Sequence, residues 1–123
     1  MSEKLKALSR DDILGADDLP MESVDVPEWG GMVFVRTLNG AERDAFGVSC
    51  IAKQGQKEGQ ELLGVRARLV TLTACDGKGT RLFTRADEEK VGKKSGTVLA
   101  RIFDVSAKLN GISDDDVEEL AGN

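Results

Sequence analysis

The apolar positions change period several times along the chain, and each change marks an element. From Val24 to Leu38 the period is two. Val24 and Val26 flank Asp25, and Met32-Val33-Phe34-Val35 is a β-branched and aromatic run. Between these runs lies Pro27-Glu28-Trp29-Gly30-Gly31, where the proline fixes one backbone angle and the glycines permit the positive φ of a tight reversal. The pattern predicts a β-hairpin. Beyond it the period becomes helical. Leu38-Asn39-Gly40-Ala41-Glu42 opens a helix, with Asn39 as the cap, Glu42 placed to close a capping box and Leu38 placed to staple the first turn. Phe46 and Cys50 share a face of it, and the polar Gln54-Gly55-Gln56 should end it. A second helix is predicted from about Glu58 to Ala74. Its stripe is Leu62, Val65, Leu69 and Leu72, widened by Leu63 and Val70, with Arg66 and Arg68 off the stripe.

Asp76-Gly77-Lys78-Gly79 reads as a loop or hairpin turn leading to Leu82-Phe83. Thr84 then caps a short helix whose first-turn acids, Asp87 and Glu88, suit the positive end of its dipole. A longer helix is predicted from Ser95 to Leu109, burying Val98, Leu99, Ile102, Phe103, Ser106 and Leu109. Asn110-Gly111 stops it, with Gly111 suited to a left-handed cap. Ser113-Asp114-Asp115-Asp116 begins a last acidic helix carrying Val117 and Leu120. At the other end, Ser9 caps a short helix through Ile13-Leu14 that closes at Gly15 or Pro20. The expected fold is α+β and mainly α, an N-terminal β-hairpin followed by an array of four to five helices. Residues 1–20 are expected to form a polar, partly flexible segment, and residues 21–123 a single domain.

Composition narrows the functional classes. A chain of 123 residues that is 40% hydrophobic can build one core without metals or disulfides. With four Phe, one Trp and no Tyr, that core must come mainly from Leu, Val, Ile and Ala. The net charge of −5 repels phosphate backbones and argues against a nucleic-acid partner. No apolar run approaches the roughly 20 residues that span a bilayer, so no membrane role is expected. Met1-Ser2-Glu3-Lys4-Leu5-Lys6 has no signal-peptide core, and the protein is expected in the cytoplasm.

Little points to chemistry. The sequence has no histidine, which removes the commonest general base. Cys50 and Cys75 lie in apolar stretches read as helical, which disfavour a thiolate, so both are read as packing thiols rather than nucleophiles. The acidic runs at Asp11-Asp12, Asp17-Asp18 and Asp114–Glu119 lack the alternation, central glycine and terminal Glu of a calcium loop, and serve better as caps and solvated faces. Gly92-Lys93-Lys94-Ser95 has the ending of a phosphate loop, but Asp87 stands where the first glycine is needed. No catalytic residue, metal ligand or cofactor site is expected. Trp29 at the hairpin tip has two readings: an anchor for a protein partner, or a ring folded back to close the core, which is favoured because an exposed Trp is costly. Met32 and Phe34 share a strand face at spacing two, and with Trp29 they form the candidate partner-binding set.

Three stretches together resemble the small tail assembly chaperones of long-tailed double-stranded DNA bacteriophages. They are Val26–Gly31 followed by Val33–Phe46, then Asp76–Gly79 with Leu82-Phe83-Thr84, and Phe103-Asp104 through Leu109-Asn110-Gly111-Ile112-Ser113. The resemblance implies a protein without catalytic activity, whose partners are the tape measure protein and the tail tube protein. Such a chaperone keeps the tape measure chain soluble in the host cell cytoplasm and helps tube subunits polymerise around it. It then leaves before the virion is complete. Many members of that family also exist as a longer, frameshifted form. A structural tail or head-completion protein is the alternative within phages. A small DNA-binding regulator is the alternative outside them, disfavoured because the helix from Ser95 carries only Arg101 and Lys108 against Asp104.

Overall fold

A computed structural model describes residues 5–51 and 64–112, with the side chains of residues 49–51 left aside. Its elements are α1 (Arg10–Gly15), β1 (Met21–Val26), β2 (Gly31–Arg36), α2 (Gly40–Ile51), α3 (Val65–Thr73), β3 (Ala74–Cys75), α4 (Glu88–Val91) and α5 (Gly96–Leu109). The fold is α+β and mainly α, as the pattern predicts. The acidic segment from Ser113 lies outside the described residues, as do residues 52–63.

The hairpin forms in the expected register, with Val24 opposite Val33 and Val26 opposite Gly31. Its tip is not a two-residue reversal. Pro27–Trp29 make a single 3₁₀ turn, and Gly30 alone takes the left-handed backbone at φ 80, while Gly31 already belongs to β2. The sheet also has a third strand. β3 pairs antiparallel with β2, setting Cys75 opposite Phe34 and Ala74 opposite Val35. Two residues are too few to show a period, so this strand has no signature of its own. Cys75 therefore lies in a strand, not in the helical setting expected for it.

Cross-strand partners share a face. Val24, Val26, Val33, Val35 and Ala74 point inward, where α5 and α3 pack. Met21, Ser23, Asp25, Met32 and Phe34 take the other face. The core joins the inner face to Phe46 of α2, Leu69 and Val70 of α3, and Val98, Ile102 and Phe103 of α5. Each large side chain buried here contributes about 1.5–3 kcal/mol relative to exposure. One polar bridge crosses that core. The Thr73 and Ser106 hydroxyls meet at 2.9 Å between α3 and α5, both fully buried.

The caps follow their sequence signals. The Asn39 N–H donates to Glu42 Oε1 at 3.0 Å and the Glu42 N–H donates to Asn39 Oδ1 at 2.9 Å. Ser9 with Asp12, and Thr84 with Asp87, close two more capping boxes. Gly111 takes φ 67 after α5, as expected of a helix stop. Its neighbour Asn110 does more than end the helix, since Oδ1 accepts the Leu38 N–H at 2.7 Å and ties α5 to the end of the hairpin.

Two expected helices and one residue differ in detail. Residues 58–63 of the helix predicted from Glu58, Leu62 and Leu63 among them, lie outside the described residues; Gly64 takes φ 86 and α3 starts at Val65. Arg68, expected off the buried stripe, is 5% exposed, with Nε 3.4 Å from Glu88 Oε1. The short helix after Thr84 is a 3₁₀ turn, Arg85–Asp87, followed by the single turn of α4.

Candidate partner-binding pocket

An apolar cavity of about 400 Å³ opens on the inner side of the sheet. Val70 of α3, Ala74 of β3, Val91 of α4 and Ile102 of α5 are its buried lining, and Val33 and Phe83 are half-buried beside them. Trp29 and Leu82 lie at the mouth, 44% and 53% exposed. Trp29 is thus neither a closed core residue nor free of the core. Its ring forms a wall of an open pocket, and the favoured reading of it as core packing is corrected accordingly.

That wall is held in place. Glu28, next to Trp29, accepts two hydrogen bonds from Arg101 of α5, at 2.8 and 2.7 Å, and Arg101 also reaches the Asp25 carbonyl at 3.3 Å. Bidentate guanidinium–carboxylate pairs fix orientation as well as distance. Hydrogen bonding to Arg101 is the main reason the Glu28 carboxyl is lowered to about 2. The 3₁₀ turn is therefore clamped to α5, and Arg101, one of the two basic residues of that helix, is engaged within the fold.

The mouth carries charge. Lys90 and Lys94 line it and are exposed, and they make no ion pair among the described residues. Asp87 also lines it, but its Oδ2 accepts the Thr84 N–H at 2.9 Å and the Thr84 hydroxyl at 3.3 Å.

The three candidate residues do not form one patch. Met32, 55% exposed, and Phe34, half-buried, share the outer face of β2 as their spacing predicts. Trp29 turns to the inner side with Val33. Sequence reasoning missed Phe83, Val91 and Ile102 as parts of a pocket, because they come from separate elements. The spacing of Lys90 and Lys94 around Val91 was the one local signal of a charged rim.

No group of three or more His, Cys, Asp or Glu residues is placed to hold a metal ion among the described residues, and no helix among them is long and apolar enough to cross a membrane. The Cys75 thiol is buried, and that burial pushes its pKa up, against the opposing pull of Arg36.

Residues 17–122 match the phage tail assembly chaperone family. The chain belongs to that family. The chaperone also shares its fold with the bacteriophage HK97 tail assembly chaperone. The two agree with a TM-score of 0.60 at 23% identity, over 80% of this chain and 88% of the other. No curated protein matches the chain. The match takes in the hairpin, the pocket and the Asn110-Gly111 stop.

Proposed function

We propose that this chaperone binds the tape measure protein during tail assembly, keeps that long chain soluble, and promotes polymerisation of tail tube subunits around it. It acts in the host cell cytoplasm and is absent from the finished virion. The observation that carries this reading is the family match over residues 17–122. The geometry supports it. A long helical chain awaiting assembly exposes apolar strips that need transient cover, and an open apolar pocket on an acidic domain offers such cover by helix-in-groove docking. Trp29 serves the partner surface through the pocket, and Met32 and Phe34 offer a second apolar strip on the opposite face of the sheet.

Co-expression with the tape measure protein of the same phage tests the reading. The soluble fraction of the tape measure protein should rise with the chaperone present. An unchanged fraction contradicts it, and recovery of the chaperone from purified virions contradicts its release.

A further inference from the structure

The pocket constrains what can fill it. Small apolar cavities of about 150 Å³ accept one benzene-sized group. At about 400 Å³ this one has room for two bulky side chains. Its mouth is narrow in chemistry as well. On a chain of net charge −5, the charged residues lining it are Lys90, Lys94 and Asp87, and Asp87 is already turned into the Thr84 cap. The opening is locally positive on a negative protein, and its two ammonium groups have no acidic partner among the described residues.

We propose that the pocket receives one face of a partner helix that carries two bulky apolar residues three or four positions apart, with an Asp or Glu beside them that pairs with Lys90 and Lys94. Residues at that spacing lie on the same side of a helix and can enter one cavity together. The carboxylate fixes which way the helix runs, since oppositely charged rims set register and orientation. The Glu28–Arg101 clamp keeps the Trp29 wall in position before the helix arrives, which lowers the ordering cost of binding. A second copy docked by a two-fold contact is a poor occupant. A two-fold contact would bring the same patch against itself, setting the lysines of one mouth against those of the other. The inference rests on the proposed tape measure interaction, and it says which segments of that protein are held.

The test uses the full chain and overlapping 25-residue peptides that cover the tape measure protein of the same phage, read by fluorescence anisotropy, with capture of the intact tape measure protein alongside. Binding peptides should carry the paired apolar residues with an adjacent carboxylate. Lys90→Glu/Lys94→Glu should weaken them at least roughly tenfold, since two attractions become repulsions, and a Glu→Lys change in the peptide should restore most of the loss. Both lysines are exposed, so circular dichroism should show an unchanged fold. Trp29→Ala, which removes a wall without touching charge, should weaken the same peptides and leave the salt dependence intact. If intact tape measure protein binds but the lysine reversal changes affinity less than twofold, the inference is overturned and the proposed function stands. If the unaltered chaperone does not bind tape measure protein at all, both fall. Self-association that the lysine reversal abolishes would assign the pocket to a second copy and also overturn the inference.

Discussion

The hydroxyl pair between α3 and α5 makes a sharp prediction, because the direction of its hydrogen bonds is determined. Thr73 has one hydroxyl hydrogen, and it is donated to the Leu69 carbonyl at 2.8 Å. The 2.9 Å contact with Ser106 must then be a donation from Ser106 to Thr73. Thr73→Val deletes the acceptor and strands a buried O–H, costing about 1–3 kcal/mol. An added buried methyl offsets about 0.8 kcal/mol of this. Ser106→Ala removes only a bond that Thr73 accepts, at about 0.5–1.5 kcal/mol, and the better helix propensity of alanine returns up to about 0.5 kcal/mol. The threonine change should therefore be the more damaging one. Thr73→Val/Ser106→Ala leaves no stranded hydroxyl, so its loss should fall below the sum of the single losses by about 1 kcal/mol. For a domain of this size about 1 kcal/mol corresponds to ~4 °C in Tm, so urea titration and thermal melts both resolve the cycle. The site depends on this pair, since Val70 and Ile102 of the pocket lie one helical turn before Thr73 and Ser106. Additivity within about 0.5 kcal/mol, or a larger loss from Ser106→Ala than from Thr73→Val, would refute the assignment. It would mean that Ser106 turns to the carbonyl four residues before it instead.

Other groups give further tests. The Glu28 carboxyl lies at about 2 in the folded protein against an ordinary 4.5, so the pair with Arg101 stabilises fully above the ordinary value and is lost as pH falls towards 2. The Tm difference between the native chain and Arg101→Leu should accordingly be widest near neutral pH and shrink across that interval. A difference that stays constant would show that Arg101 acts by packing alone. In a Cys50→Ala background, the buried Cys75 with its raised pKa should react slowly with a thiol reagent at neutral pH, and rapid labelling of the folded chain would contradict its reading as a packing thiol.

What was legible in the sequence is what is local. The caps at Ser9, Asn39 and Thr84 are legible in neighbouring residues and all form, the one at Asn39 as the expected capping box and those at Ser9 and Thr84 as boxes too. The hairpin register follows from alternation, and α5 from its stripe. The features that escaped depend on distant partners. Ala74-Cys75 becomes a strand only because β2 offers an edge to pair with. Arg68 is buried because Glu88, from α4, meets its guanidinium, so a position that looks polar on a helical wheel faces inward. Asn110 reads as a simple stop, yet its side chain bonds the backbone of Leu38. Of the candidate site, the Trp at the hairpin tip was visible. The pocket behind it was not, since its lining comes from the hairpin, the strand and three helices and leaves no joint pattern in the chain.

The central claim, that this chaperone holds the tape measure protein in solution, is tested most directly by dilution. Tape measure protein purified in denaturant is diluted into buffer containing increasing amounts of the chaperone, and aggregation is followed by light scattering. Scattering should fall in proportion to added chaperone and level off at a fixed ratio of the two chains, with both recovered in one complex by size-exclusion chromatography. Scattering that is unaffected, or suppressed equally by an unrelated acidic protein of similar size, would contradict the claim.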